Sequence, residues 1–238
     1  MSVRRIGLLG GTFDPIHMGH LDLATAAHGA LGLTQVLVIP ANVPPHRTKP
    51  LTSAFHRFAM VALAVAGRPD WRVSDVELLL NEAPSYTAVT LRRFHERGHV
   101  PTELFFLIGA DAFAQITTWR DYPGILDGAH FAVISRPGHS VTTLPDRMPA
   151  QAARMIVATP GMTFPETPSI FLIDAPTAEV SSTAIRGRLT TGDSIDGMVD
   201  PRVRQHIEQH GLYSSPLHHR RRSSPSANSA AGRLHGQD

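Results

Sequence analysis

Short apolar runs of strand length recur along the chain, and the segments between them carry apolar residues at the spacing of helices packed on a sheet. The runs predict strands near residues 3–9, 35–40, 73–78, 103–108, 131–135, 155–158 and 170–173. The helical spacing predicts helices near residues 21–31, 55–66, 85–97, 111–127, 182–190 and 201–210. This alternation predicts an α/β fold with a doubly wound, mostly parallel sheet and helices on both faces.

Helix faces and ends can be predicted in three places. The buried stripe of the first helix comprises Leu21, Ala24, Ala27 and Leu31. The stripe of the second comprises Phe55, Phe58, Ala59, Ala62, Leu63 and Ala66. The last helix has Asp200 as N-cap, Pro201 in its first turn and Gly211 at its end. The final two helices form a small C-terminal helical part.

The pattern changes after Tyr213. Residues 214–238 are rich in serine and arginine and lack apolar periodicity, which predicts a disordered tail behind a single domain of residues 1–213. The tail holds four arginines and one acid, so the first 213 residues contain 18 basic and 19 acidic residues. The sequence pI of about 9.5 is therefore a property of the tail, and nucleic acid is not the expected partner of the domain.

Composition excludes several kinds of chemistry. There is no cysteine, so disulfides, thiolate metal sites and a cysteine nucleophile are absent. Lys49 is the only lysine, and it does not follow a glycine as a Walker A lysine does. No apolar run is long enough to span a membrane and no secretory signal is recognisable, which favours a cytoplasmic protein.

Residues 10–20, GGTFDPIHMGH, follow the first predicted strand, at the sheet edge where open α/β folds bind ligands. Gly10 and Gly11 let backbone N–H groups approach a phosphate, and Thr12 adds a hydroxyl donor. His17 and His20 lie three residues apart at the start of a helix, whose N-terminus favours an anion. Gly19 leaves room for a nucleobase or sugar. These features predict a polyphosphate site.

This stretch resembles the HxGH nucleotidyltransferase superfamily, and within it the bacterial nicotinate mononucleotide adenylyltransferases, which implies a Rossmann-like fold. The resemblance implies that His17 and His20 contact ATP phosphates and stabilise charge as pyrophosphate leaves, with Gly10, Gly11, Thr12, Phe13 and Gly19 around the nucleotide. Two simpler readings exist. The histidines could only cap a helix, or Asp14, His17 and His20 could bind a metal.

Two further stretches add to the ATP side. Residues 180–186, VSSTAIR, place hydroxyls and an arginine at a helix start, which is also how an ordinary serine N-cap looks. The family has a similar element over the triphosphate, and the resemblance assigns it here to Ser181, Ser182, Thr183 and Arg186. It also assigns Arg136, in the SRPG stretch, to the ATP side.

The acceptor side is implied by three stretches. The PPHR loop resembles the family's Pro-Pro-His-Lys loop near the acceptor phosphate, with arginine at the lysine position. The PSYTA turn and the GAD…W segment resemble the elements that hold the pyridine ring, its carboxylate and the ribose. The acceptor residues so implied are His46, Arg47, Ser85, Tyr86, Thr87, Gly109, Asp111 and Trp119. For Trp119, core packing is the alternative.

The resemblance covers about residues 3–213 and implies transfer of AMP from ATP to nicotinate mononucleotide, with Mg²⁺ bound mainly through the ATP phosphates. No metal ligand is expected from protein side chains, and the other histidines, His56 among them, receive no functional role. Alternatives are the same chemistry on nicotinamide mononucleotide or phosphopantetheine, or a non-catalytic nucleotide sensor. The sequence leaves open whether the chain forms a homo-oligomer.

Overall fold

The computed structural model describes residues 4–44, 50–79 and 84–213. Seven strands form one sheet: β1 Ile6–Gly11, β2 Gln35–Pro40, β3 Trp71–Val73, β4 Leu104–Gly109, β5 His130–Ile134, β6 Met155–Val157 and β7 Ile170–Ile173. Their order is β3-β2-β1-β4-β5-β7-β6, and every pair is parallel. The order changes direction at β1, so the C-terminal ends of β1 and β4 form the crevice where such sheets bind ligands.

Eight α-helices are found in the described residues. They are α1 Met18–Leu31, α2 Ala54–Val65, α3 Thr87–Glu96, α4 Ala110–Phe113, α5 Leu144–Arg147, α6 Pro149–Ala152, α7 Ser182–Thr191 and α8 Pro201–Gln209. Short 3₁₀ helices occur at Pro101–Glu103, Ile116–Thr118, Gly124–Asp127 and Val141–Thr143. None of the helices in these ranges combines the length and the apolar character that crossing a membrane demands.

Both faces of the sheet are covered, as predicted. Leu9 of β1 packs into a core with α1, α2, α7 and α8, whereas Leu8 packs into a second core with α3 and α4. Successive strand residues point to opposite faces, so a fully apolar strand supplies both cores. The predicted α/β class, the parallel sheet and the C-terminal helical part are confirmed.

Four details of the prediction were wrong. The third strand ends at Val73, and residues 76–79 form a turn. The helix predicted over residues 111–127 is α4 followed by two 3₁₀ helices. The short helices α5 and α6 were not predicted. On α2 the buried face is shifted, because Arg57, Met60 and Val61 are buried while Phe55 is 85% exposed.

Three predicted features lie outside the described residues. These are the N-terminal end of the first predicted strand, the loop residues His46, Arg47 and Lys49, and the tail of residues 214–238.

Candidate active site

The turn between β1 and α1 is shaped by Phe13. This residue has a positive φ of 50°, and its ring is buried against the backbone of Gly11. A side chain on Gly11 would place its Cβ 2.7 Å from that ring, so only glycine fits there. The backbone of Gly11 and Thr12 therefore lines the turn, and no side chain at position 11 covers it.

Asp14 fixes the turn from within. Its side chain is only 5% exposed, and both carboxylate oxygens accept hydrogen bonds. The donors are the backbone N–H of Leu51 at 2.8 Å, the hydroxyl of Thr52 at 2.6 Å and the phenol of Tyr213 at 2.7 Å. Three donors from two distant segments thus hold one carboxylate. This occupancy argues against the metal-binding reading of Asp14, His17 and His20.

Arg57 holds the same turn from the side of α2. Its guanidinium is buried and donates to the carbonyls of Thr12 at 2.8 Å, Ala41 at 2.6 Å and Asn42 at 3.2 Å. Burial lowers the pKa of Arg57. One cation therefore satisfies carbonyl groups from the ends of two neighbouring strands, β1 and β2, and fixes their distance.

The two predicted catalytic histidines stack on each other. Their ring centroids are 3.7 Å apart, and the backbone N–H of His17 donates to Nδ1 of His20 at 3.3 Å. The ring of Phe13 meets His20 edge-on at 5.0 Å. His17 occupies the N-cap position of α1, but its side chain makes no capping hydrogen bond. The His20 side chain thus takes part in capping α1, whereas Nδ1 of His17 makes no hydrogen bond within the described residues.

His17 is buried, with an exposure of 3%, and its Nδ1 has no hydrogen-bond partner among the described residues. Burial, helped by the nearby guanidinium of Arg136, lowers the pKa of His17 to about 4. The ring is therefore neutral near pH 7. A buried polar atom without a partner costs free energy, and it identifies the place where a ligand would supply the missing bond.

Arg136 connects the histidine pair to the end of β4. Its Nη1 donates to the carbonyl of Gly19 at 3.3 Å. A Cβ on Gly19 would lie 2.9 Å from the carbonyl oxygen of Ala178, and one on Gly109 would collide with Asp111 and Arg136. These contacts bring together at one corner residues that the sequence places far apart.

The start of α7 docks on the same turn. The hydroxyl of Ser182 donates to the carbonyl of Pro15 at 2.9 Å, and the guanidinium of Arg186 donates to the carbonyl of Asp14 at 2.8 Å and to the hydroxyl of Thr183 at 3.3 Å. Ser181 caps α7 through its bond from the N–H of Ala184 at 3.1 Å. The simpler reading holds for Ser181, whereas Arg186 is not a solvated surface arginine.

The acceptor residues within the described ranges lie at the start of α3 and at or after the end of β4. Ser85 joins the start of α3 to the segment after β2, since its hydroxyl accepts from the N–H of Asn42 at 2.9 Å and its own N–H donates to the carbonyl of Val43 at 2.8 Å. Tyr86 is the N-cap of α3, which begins at Thr87, and the guanidinium of Arg120 lies 4.8 Å from the Tyr86 ring centroid.

Trp119 ends a 3₁₀ helix and is half-buried. It meets Phe106 of β4 in an edge-to-face contact, with 6.0 Å between ring centroids. Part of the indole remains accessible, which is compatible with both readings, core packing and a stacking surface.

The buried Glu77 lies against α3, where its carboxylate accepts a hydrogen bond from the hydroxyl of Thr90 at 2.6 Å. Burial raises the pKa of Glu77.

Around the turn after β1 the site offers hydrogen-bond donors and cations for phosphate, and the Asp14 carboxylate there is fully engaged by hydrogen bonds. Among the described residues, no cluster of three metal-binding side chains lies at this corner. The residues present therefore fit an Mg²⁺ ion that is carried by the phosphates of a nucleotide.

Comparison with known proteins identifies the family of this chain. The cytidylyltransferase-like family model matches residues 8–188, and the chain belongs to that family. It is 38% identical over 208 residues to the nicotinate-nucleotide adenylyltransferase of Salmonella typhimurium, covering 87% of this chain and 97% of the relative.

Solved structures show the same fold. Nicotinic acid mononucleotide adenylyltransferase of Plasmodium falciparum, complexed with APC, has a TM-score of 0.67 at 19% identity. The alignment covers 88% of this chain and 97% of that one. The same protein complexed with NaAD gives a TM-score of 0.67 at 17% identity, with the same coverage.

Sequence reasoning missed the residues that support the site. Asp14 was considered only as a metal ligand, and neither Thr52 nor Arg57 was singled out. One signal was present, because Arg57 and His56 are the two polar residues of an otherwise apolar helix, and a buried arginine needs a partner. Tyr213 gave no such signal, since its partner lies 199 residues away in sequence.

Proposed function

We propose that the protein transfers the AMP part of ATP to nicotinate mononucleotide, giving deamido-NAD and pyrophosphate in NAD biosynthesis. The observation that carries this is the buried, unpartnered Nδ1 of His17, held against His20 and Arg136 at the crevice of the sheet. Membership of the family and the close relative of the same activity support the reaction.

On this proposal the corner at β1 binds ATP. The backbone of Gly10 to Phe13 and the first turn of α1 face the phosphates, because helix N-termini and bare backbone N–H groups attract anions. The residues assigned to ATP are Gly10, Gly11, Thr12, Phe13, His17, Gly19, His20, Arg136, Ser181, Ser182, Thr183 and Arg186. For Ser181 the role is limited to its backbone, since its hydroxyl caps α7.

The acceptor is assigned to Ser85, Tyr86, Thr87, Gly109, Asp111 and Trp119, together with His46 and Arg47 outside the described residues. The N-terminus of α3 suits the carboxylate of the pyridine ring, and the exposed part of Trp119 suits stacking on that ring. Asp111 lies beside Gly109 and Arg136, where it can accept hydrogen bonds from a ribose.

The reaction needs positioning more than activation, because a phosphate oxygen is already a nucleophile. An oxygen of the acceptor phosphate forms a bond to the α-phosphorus of ATP, and the bond from that phosphorus to the oxygen bridging to the β-phosphate breaks. The pyrophosphate that leaves carries the developing charge. His17, His20 and Arg136 donate to the phosphate oxygens and stabilise that charge. Bound Mg²⁺ would neutralise further phosphate charge.

Three associated proposals accompany this function. Catalysis resides in residues 1–213, the tail of residues 214–238 contributes no substrate contact, and the enzyme works in the cytoplasm. A chain ending at Tyr213 should therefore keep the turnover of the full chain.

An acceptor panel tests the function. The pure protein with ATP and Mg²⁺ is given nicotinate mononucleotide, nicotinamide mononucleotide or phosphopantetheine, and pyrophosphate release is followed. The highest kcat/KM is expected with nicotinate mononucleotide. Pyrophosphate release only with another acceptor would reassign the acceptor side, and release with none would favour a nucleotide sensor.

A further inference from the structure

Three histidines meet on the outer side of α2, away from the residues assigned to catalysis. His56 lies on α2, His206 on α8, and His210 directly follows α8. One ring nitrogen from each lies within 4.8 Å of the other two. Nδ1 of His56 and Nε2 of His206 are 3.1 Å apart. Within the described ranges, this is the one cluster of side chains with the composition of a metal site.

The backbone fixes these three positions. His206 and His210 are four residues apart, and the N–H of His210 donates to the carbonyl of His206 at 3.1 Å, so both side chains project from one side of a continuous helical turn. His56 lies in the first turn of α2, where its N–H is capped by the hydroxyl of Ser53. The buried Val203 and Ile207 hold α8 against α2.

The spacing of the nitrogens suits a transition-metal ion. Ligands at about 2.0–2.1 Å from a tetrahedral zinc lie roughly 3.3 Å from one another. The pair from His56 and His206 is already near that value, and a ring nitrogen of the exposed His210 lies within 4.8 Å of both.

We propose that His56, His206 and His210 form a binding site for one divalent transition-metal ion of the zinc class, with water completing the coordination. This departs from the expectation, drawn from the sequence alone, that no side chain binds a metal. The site is separate from the Mg²⁺ that accompanies ATP, because three imidazoles select zinc-like ions over Mg²⁺, which prefers oxygen ligands.

The ion would join α8 to α2 close to the residues that support the active site. Arg57, the next residue after His56, donates to the carbonyl of Thr12, and Thr52, which precedes the α2 cap, bonds to Asp14. Tyr213 follows α8 and bonds to the same carboxylate. The metal therefore braces the two elements that hold the phosphate turn.

The test uses full-length protein freed of metal with a chelator. Zn²⁺ is titrated in competition with a chromogenic chelator, and Co²⁺ serves as a spectroscopic probe of nitrogen coordination. One equivalent is expected to bind, and the Co²⁺ spectrum is expected to be that of imidazole ligation. With free Zn²⁺ about 100-fold above Kd, the Tm is expected to rise by roughly 5–10 °C.

The variant His206→Gln/His210→Gln should lose affinity by about 100-fold or more, since even outer-shell partners of a metal are worth about 10–100-fold. The single variant His210→Gln changes an exposed side chain and covers the case in which the double variant does not fold. The matched control is His218→Gln/His219→Gln in the tail, which should keep the site.

Three results would overturn the proposal. They are an absence of stoichiometric binding to the unmodified protein, unchanged affinity in the folded His210→Gln variant, or loss of binding in the tail control. The last would place the ion on the tail.

Discussion

The phosphate side and the acceptor side of the crevice are built differently. On the phosphate side, the turn after β1 receives side-chain hydrogen bonds from Thr52, Arg57, Arg186 and Tyr213, which come from three separate parts of the chain. On the acceptor side, the described residues are joined chiefly through Ser85, and Trp119 rests on Phe106 by one edge. The turn after β1 is thus held by side chains from distant parts of the chain.

The difference follows from what each side has to do. Stabilising charge on a leaving pyrophosphate requires donors that are in place before the reaction, because reorganising them during the reaction would cost free energy. Holding an aromatic ring requires a surface and a few polar groups, which can adjust when the ring arrives. On the proposed function, the braced side is expected to carry the chemistry and the other side the selectivity. Four predictions test that division.

Arg57→Leu should have the largest effect, because it leaves the carbonyls of Thr12, Ala41 and Asn42 buried without their donor. The expected loss is about 3–5 kcal/mol in the free energy of unfolding, measured by urea denaturation. The control is Arg92→Leu on α3, whose side chain is 62% exposed and whose ion pair with Asp121 is solvated. Equal losses in both variants would contradict the bracing role of Arg57.

His20→Ala should lower kcat by about 10²–10³-fold, as loss of a charge-stabilising donor does, and leave the KM of the acceptor almost unchanged. His17→Ala should behave in the same way, with an added loss of stability because His17 is buried. His28→Ala, near the other end of α1, is the matched control. Near-normal turnover of both variants at saturating ATP would remove the histidine pair from the mechanism.

The corner between β1 and α1 could be predicted from sequence because its parts are contiguous: residues 10–20 alone contain a strand end, a turn and a helix start. β2 and β7 were predicted to the residue for a similar reason, as each is a continuous apolar run. The bracing could not be predicted, since Tyr213 and Asp14 meet only after the sheet and the C-terminal helices have packed.

In two of the wrong predictions, a local backbone feature overrode the structure that the apolar pattern predicted. The apolar residues after Val73 continue the strand pattern, but the N–H groups of Leu78 and Leu79 both donate to the carbonyl of Asp75, which turns the chain instead. The predicted helix over residues 111–127 contained Pro123, which removes a backbone donor inside a helix. Pro123 is visible in the sequence, but the prediction followed the apolar spacing of the segment instead.

The stability of the protein should fall in acid because two histidines are buried neutral. Burial lowers the pKa of both His17 and His130 to about 4, whereas an unfolded histidine titrates near 6.5. The unfolded state therefore binds more protons below about pH 6.5, and each histidine removes about 1.4 kcal/mol per pH unit from there down to about pH 4. Above that window the contribution is complete.

Urea denaturation between pH 7 and pH 4 measures this slope. His130→Gln should lower the slope of the unfolding free energy against pH by about 1.4 kcal/mol per pH unit, which is the contribution of one proton. The control His139→Gln changes an exposed side chain and should leave the slope as it is. Glu77 on the acceptor side acts in the opposite sense, since its raised pKa favours the folded state at low pH. An unchanged slope in His130→Gln would show that this histidine is protonated in the folded protein.

Trp119→Leu should have the smallest effect and should fall on the acceptor alone. Loss of the ring surface is expected to raise the KM for nicotinate mononucleotide by about tenfold, as loss of one stacked base does, while kcat and the KM for ATP stay within about twofold. Trp119→Phe keeps an aromatic face against Phe106 and should recover part of the affinity. If Trp119→Leu instead lowered stability and changed all kinetic constants together, the indole would be a packing residue. The acceptor side would then be held as rigidly as the phosphate side.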